Sequence, residues 1–283
     1  MSIDRVGIVG GGTMGRGIAQ VCAASGLDVT LCDVAQDPLE QALGSIEKGY
    51  ARLVQKAQMS ETEMRSAQQR LRTSTDLAVL SEVDMVIEAA TENPRTKLEL
   101  FTRLGELCAE RTILASNTSS ISLTRIAAAA AHPQRVIGMH FFNPVPVMKL
   151  IEVIRALQTS DSTFEQVRAL AERLGKVSVA VNDSPGFVVN RMLVPMINEA
   201  VLVLAEGAAS AEEIDVAMRL GANHPMGPLA LADLIGLDVC LYVMEVLHEQ
   251  FADSKYRPAP LLRKMVDAGY LGRKSGRGFF EYG

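Results

Sequence analysis

Between Arg135 and Ile154 the chain reads RVIGMHFFNPVPVMKLIEVI. His140, one of only four histidines, sits there among apolar residues, and Glu152 follows towards the far end. A buried polar side chain is costly unless it finds a partner. An imidazole can also take and return a proton near neutral pH. Residue types alone leave two readings open. The pair satisfies itself inside a core, or it moves a proton for a reaction.

Positioning such a pair needs a scaffold, and the first half of the chain supplies a regular one. RVGIVG (residues 5–10) is a short β-branched run ending in glycine, the pattern of a buried strand. MGRGIAQVCAASG has helical periodicity, and DVTLCD reads as a second strand. The loop GGGTMG between strand and helix holds Gly10, Gly12 and Gly15 in a G-x-G-x-x-G arrangement. Gly10 allows the tight turn, Gly12 lets backbone approach a pyrophosphate, and Gly15 lets helix and strand pack closely. Thr13 and Met14 lie in the same loop, where the helix N-terminus offers N–H groups to phosphates. Such a loop alone is a weak signal, but an acid at the end of the next strand strengthens it. Asp33 stands near the offset of roughly 20 residues expected for a ribose-binding acid. No arginine follows it directly, so the cofactor expected is NAD rather than NADP.

The alternation continues through DMVIEAA from Asp84, a helix NPRTKLELFTRLGELCAE, the strand TILASN, the helix SLTRIAAAAA and the strand RVIGMHFF. Asn93 is the expected N-cap of the first of these helices, with Pro94 in its first turn. This order predicts an α/β fold, a Rossmann-like doubly wound parallel sheet with ligands at the carboxyl ends of the strands. Glu92 and Lys97 fall at such an end, either as site residues or as a solvated charge pair near a helix start. The SNTSS run, Ser116 to Ser120, reads equally as helix-capping hydroxyls. A helical insertion, about residues 36–70, interrupts the pattern. Within it Lys48, Arg52 and Lys56 recur every four residues, on one helix face. That face is a solvated surface or a clamp for a phosphorylated ligand.

After the segment KVSVAVND the pattern turns helical. SPGFVVNRMLVPMINEAVLVLAEG is a long apolar helix that Pro195 should bend. SAEEIDVAMRLGA begins at a plausible N-cap, Ser210, while GPLALADLIGLDVCLYVMEVLHEQ and APLLRKMVDAG are further helices. The expected boundary lies at DSPG, giving domains of residues 1–184 and 185–283, the second all-helical. Its apolar faces exceed what one small bundle buries, which predicts a homodimer through this domain.

Composition narrows the partners. A net charge of −5 without a basic run argues against nucleic acid, which needs clustered positive charge. Cys22, Cys32, Cys108 and Cys240 form no metal-ligand spacing and read as buried free thiols, so no metal is expected. The opening MSIDRVGIVGGG resembles no secretory leader, and no apolar run is long enough for a membrane span. A cytoplasmic protein without membrane partner is expected.

GGGTMGRGIAQ, SNTSS, HFFNPVPVMKLIEVI, DSPGFVVNR and GANHPMGPLALAD, in this order, resemble the 3-hydroxyacyl-CoA dehydrogenase family over nearly the whole chain. The likeness is greatest to its stand-alone members that act on 3-hydroxybutyryl-CoA. It implies reversible, NAD-dependent oxidation of an (S)-3-hydroxyacyl-CoA to the 3-ketoacyl-CoA. It assigns His140 as catalytic base and Glu152 as its partner, with Ser119 and Asn190 as further active-site residues. By the same matching Glu92 and Lys97 meet the cofactor's ribose region, Asn143 and Lys274 approach its nicotinamide side, and Ser119 touches both ligands. Lys56 matches a CoA contact, and helix spacing adds Lys48 and Arg52 to it. The tail departs mildly from the family, with Ser275 and Phe280 where Thr and Tyr are frequent. Two alternatives remain: a dehydrogenase of another 3-hydroxy acid on the same plan, and a non-catalytic, crystallin-like NAD-binding protein.

Overall fold

In a computed structural model, which describes residues 3–283, the chain divides into two compact units, Met1–Ser184 and Pro185–Gly283. The first two residues of the opening segment lie outside the described residues. Unit one alternates strand and helix as β1 (Arg5–Val9), α1 (Thr13–Ala24), β2 (Asp28–Cys32), α2 (Gln36–Gln55), α3 (Glu61–Gln69) and β3 (Leu71–Ser74). It continues as β4 (Met85–Glu88), α4 (Pro94–Leu107), β5 (Ile113–Ser116), α5 (Leu123–Ala129), β6 (Val136–Phe141), β7 (Leu150–Arg155), α6 (Asp161–Arg173) and β8 (Val177–Asn182). The strands form one sheet in the order β3-β2-β1-β4-β5-β6-β7-β8.

Central strands β4, β5 and β6 are buried at every position. Helices cover both faces of such a sheet, so its strands need apolar side chains on both sides. Ile8, Leu31, Ile87, Ile137 and Val153 form the middle of this core. A fully buried aliphatic side chain contributes about 1.5–3 kcal/mol relative to exposure.

The sheet departs from a wholly parallel plan at one place. β6 and β7 are antiparallel, while β8 returns parallel to β7. Residues 142–149 join β6 to β7, fewer than the roughly dozen that a parallel crossover requires. The short connection therefore folds the two strands into a hairpin.

Unit two holds α7 (Val189–Ala205), α8 (Ala211–Gly221), α9 (Pro228–Ile235), α10 (Leu237–Phe251) and α11 (Pro260–Asp267). Its own core gathers Ile197, Val201, Leu229, Leu237, Cys240 and Met244. Pro195 lies inside α7. Ser210 caps α8 in a reciprocal capping box with Glu213. The segment expected as one helix, GPLALADLIGLDVCLYVMEVLHEQ, is two. Gly236 interrupts it at φ 107°, a conformation outside the helical region. A Cβ there would also lie 3.1 Å from the Lys274 ammonium. Among the described residues, no helix is long and apolar enough to cross a membrane.

Candidate active site

The β6–β7 hairpin sets the register that matters most. His140 and Glu152 are directly opposed across it. His140 Nδ1 and Glu152 Oε2 lie 2.7 Å apart, with His140 6% and Glu152 1% exposed. Facing residues on antiparallel strands keep their Cβ atoms within about 5.5 Å, so backbone pairing itself holds the two side chains together. Phe142 packs beside the imidazole with ring centroids 4.6 Å apart. The Asn117 side-chain oxygen accepts from Phe141 N at 2.9 Å, fixing the strand end immediately after His140. With Nδ1 engaged by a carboxylate, proton exchange falls to Nε2.

At the carboxyl end of β1, the glycines behave differently from one another. Gly10 has φ 109°, and a Cβ on it would meet the Ala89 carbonyl at 2.6 Å. A Cβ on Gly15 would come within 1.8 Å of the Gly10 carbonyl. Around Gly12, by contrast, a Cβ would meet nothing within 4 Å. That open space lies at the N-cap of α1, which carries no side-chain cap, so the first N–H groups of the helix are left to a ligand. Thr13 and Met14 open the helix. Asp33 accepts from Gly11 N at 2.7 Å, which binds the acid after β2 to the glycine loop. Glycines, helix terminus and acid fit a dinucleotide, the pyrophosphate over Gly12 and a ribose at Asp33.

Two carboxylates organise the ends of β4 and β5, and of the two readings open for Glu92 and Lys97 the solvated charge pair is not found. Lys97 is 1% exposed, and its ammonium lies 2.5 Å from Glu88, not on Glu92. Glu88 also accepts from Ser116 Oγ at 2.7 Å and from Ala90 N at 2.9 Å. A buried lysine requires such a counter-charge, so Lys97 is drawn inward instead of standing in solvent. Glu92 accepts from Thr118 Oγ1 at 2.7 Å, Ser119 N at 2.8 Å and Ser119 Oγ at 3.2 Å. The SNTSS hydroxyls therefore serve these carboxylates, while Ser122 caps α5 and Asn93 caps α4.

Lys48, Arg52 and Lys56 face one cavity of about 820 Å³, with Lys56 as the C-cap of α2. Arg16 and Asn143 line it as well, and among the described residues no acidic one does. Arg16 is a cation that helix spacing within the insertion could not reveal, because it comes from α1.

In unit two, Asn190 lies half-buried in the first turn of α7. Lys274 pairs with Asp238 at 2.5 and 2.6 Å. The tail is held by Asp233, whose carboxylate accepts from Phe279 N and Phe280 N at 2.9 Å and from Tyr282 OH at 3.0 Å. Burial and this carboxylate together raise the Tyr282 hydroxyl. Burial lifts the thiols of Cys22, Cys32 and Cys240 to about 12 and that of Cys108 to about 11. Among the described residues, no three His, Cys, Asp or Glu side chains gather as a metal site.

Sheet order, glycine cradle and acid define an NAD-binding dehydrogenase fold. Residues 5–184 match the family model for the 3-hydroxyacyl-CoA dehydrogenase NAD binding domain, and residues 186–282 that for the C-terminal domain. The chain belongs to the 3-hydroxyacyl-CoA dehydrogenase family. It is 55% identical over 282 residues to a probable 3-hydroxybutyryl-CoA dehydrogenase of Bacillus subtilis, covering 100% of this chain and 98% of that one. Identity to the 3-hydroxybutyryl-CoA dehydrogenase of Clostridioides difficile is 50%, over 98% of this chain and 99% of the relative. The crystal structure of (S)-3-hydroxybutyryl-CoA dehydrogenase from Ralstonia eutropha superimposes with a TM-score of 0.97 at 55% identity, covering all of both chains.

Proposed function

We propose that this protein catalyses the reversible, NAD-dependent oxidation of an (S)-3-hydroxyacyl-CoA, with the four-carbon 3-hydroxybutyryl-CoA as its substrate. The observation that carries the reading is the buried His140–Glu152 contact at 2.7 Å. Bound NAD supplies the hydride acceptor for C3. His140 takes the hydroxyl proton as the C3 hydride leaves, so that the C–O bond becomes a carbonyl. Glu152 holds the imidazole tautomer and stabilises the imidazolium that forms. In the reverse direction His140 returns the proton to the developing alkoxide.

Gly10, Gly12, Thr13, Met14 and Gly15 form the pyrophosphate cradle, and Asp33 takes a ribose. Ser119, held by Glu92, orients the substrate oxygens. On family resemblance, Glu92 and Lys97 stand at the cofactor's ribose region, Lys97 held in place by Glu88. Asn143 stands at the nicotinamide side, while Asn190 and Lys274 enter this reading on family resemblance alone. Lys48, Arg52 and Lys56, joined by Arg16, give the CoA phosphates four cations in one cavity wall. Unit one is then the cofactor domain and unit two the substrate and dimerisation domain. Exposed Met192 and Leu220, at 71% and 81%, support a homodimer through unit two. We place the enzyme in the cytoplasm, where free thiols persist.

NADH oxidation with acetoacetyl-CoA tests the reading, with NADPH and free acetoacetate in parallel. Rapid turnover with NADH and the CoA ester alone is expected. Equal turnover of free acetoacetate would overturn the carrier assignment. NADH binding without turnover would favour the non-catalytic alternative.

A further inference from the structure

Just before β8, Lys176 is buried to 8% exposure. Its ammonium donates to two backbone carbonyls, Val145 at 2.6 Å and Met148 at 2.7 Å. Both lie in the loop 142–149, which joins the strand of His140 to the strand of Glu152. Within that loop the Pro144 carbonyl accepts from Val147 N and Met148 N, at 2.9 and 3.0 Å, closing a tight turn. On the other side the loop rests on α1. Val145 is buried, and a Cβ on Gly17 would stand 2.9 Å from the Val145 Cβ. The loop is thus gripped between the cofactor helix and a buried ammonium. Asn143, Pro144, Pro146 and Val147 form one wall of the cavity whose other wall bears the basic residues.

Burial pulls the Lys176 ammonium below the usual lysine range, so its placement carries a cost. Carbonyls so held receive charge-assisted bonds, roughly twice as strong as neutral ones. We propose that Lys176 is a positioning residue for the reaction. Through the carbonyls of Val145 and Met148 it fixes the 142–149 loop, and with it the cavity wall against which the acyl-CoA lies. This rests on the acyl-CoA reading of that cavity.

The test compares wild type, Lys176→Met and Lys176→Arg in steady-state NADH oxidation with acetoacetyl-CoA. Methionine keeps an apolar stem and removes the donors. The KM for acetoacetyl-CoA should rise about tenfold, the usual scale for lost bonds to a charged group. The kcat per folded molecule should fall less than about threefold, because the β6–β7 ladder still holds the dyad. Lys176→Arg should recover most of the KM, since it donates again. A folded Lys176→Met with unchanged KM overturns the proposal. So does a rate loss that merely tracks the unfolded fraction. Should Lys176→Met fail to fold, Val145→Ala loosens the same loop from the α1 side and must raise the same KM. An unchanged KM there overturns the proposal equally. If wild type turned over no acetoacetyl-CoA, the functional reading would fail, and amide exchange would still judge Lys176. Faster exchange at Val145, Val147 and Met148 in Lys176→Met supports the tie, and unchanged exchange refutes it.

Discussion

Unit one contains two buried pairs of a nitrogen base with a carboxylate, Lys97–Glu88 and His140–Glu152. Both stand at carboxyl ends of central strands or beside them. In the first pair, Glu88 receives an ammonium, a serine hydroxyl and a backbone N–H. Both carboxylate oxygens of Glu88 are used as acceptors. Such an arrangement joins the ends of β4 and β5 to α4. In the second pair, an imidazole faces its carboxylate through one nitrogen. Imidazole changes charge within the physiological range, so this pair can respond to a reaction. The lesson is that burial and ion pairing alone do not mark chemistry. What differs here is the kind of nitrogen base that faces the carboxylate, an imidazole instead of an ammonium.

Substitutions can break that contrast. The largest effect is expected from His140→Gln, which should lower kcat by about 10³-fold, within the usual range for general acid–base catalysis, while NADH binding and unfolding midpoint hold. Glu88→Gln should do the opposite. It leaves the Lys97 ammonium buried without its counter-charge and should cost about 3 kcal/mol in denaturant unfolding. Were its stability intact and only its activity lost, the two pairs would not differ as argued. Glu152→Gln should reduce kcat about 100-fold, through a wrong tautomer and a weaker base. Smaller again, Lys56→Glu should raise the acyl-CoA KM about tenfold and spare kcat, since the charge it reverses faces the cavity and not the dyad. Last, a thiol reagent at pH 8 should label none of the four cysteines in the native protein. All four are buried, and their thiols sit at about 11 to 12, so thiolate is scarce.

Local patterns in the sequence foretold most elements. The strand–GGGTMG–helix unit and Asp33 are read within thirty or so residues of chain, and the capping residues Asn93 and Ser210 within one turn. Pairings across the sheet were less visible. Glu88 looked like one more strand residue in DMVIEAA, and only the β4–β5 neighbourhood brings Lys97 and Ser116 to it. The antiparallel turn of β7 depends on the length of its connection, which periodicity does not report. Gly236 breaks a helix that apolar spacing carries straight through, because an isolated glycine leaves the pattern intact. Asp233 and Lys176 were overlooked for a related reason. Each acts on backbone atoms far along the chain, and a backbone acceptor leaves no mark in side-chain types.

The central claim is that His140 moves the proton that accompanies hydride transfer. A single-turnover experiment tests it directly: wild type and His140→Gln, each preloaded with NADH, are mixed rapidly with saturating acetoacetyl-CoA. The account predicts a burst of NADH loss for wild type and none on that timescale for His140→Gln, with equal NADH bound beforehand. A burst of wild-type rate in the variant would contradict it.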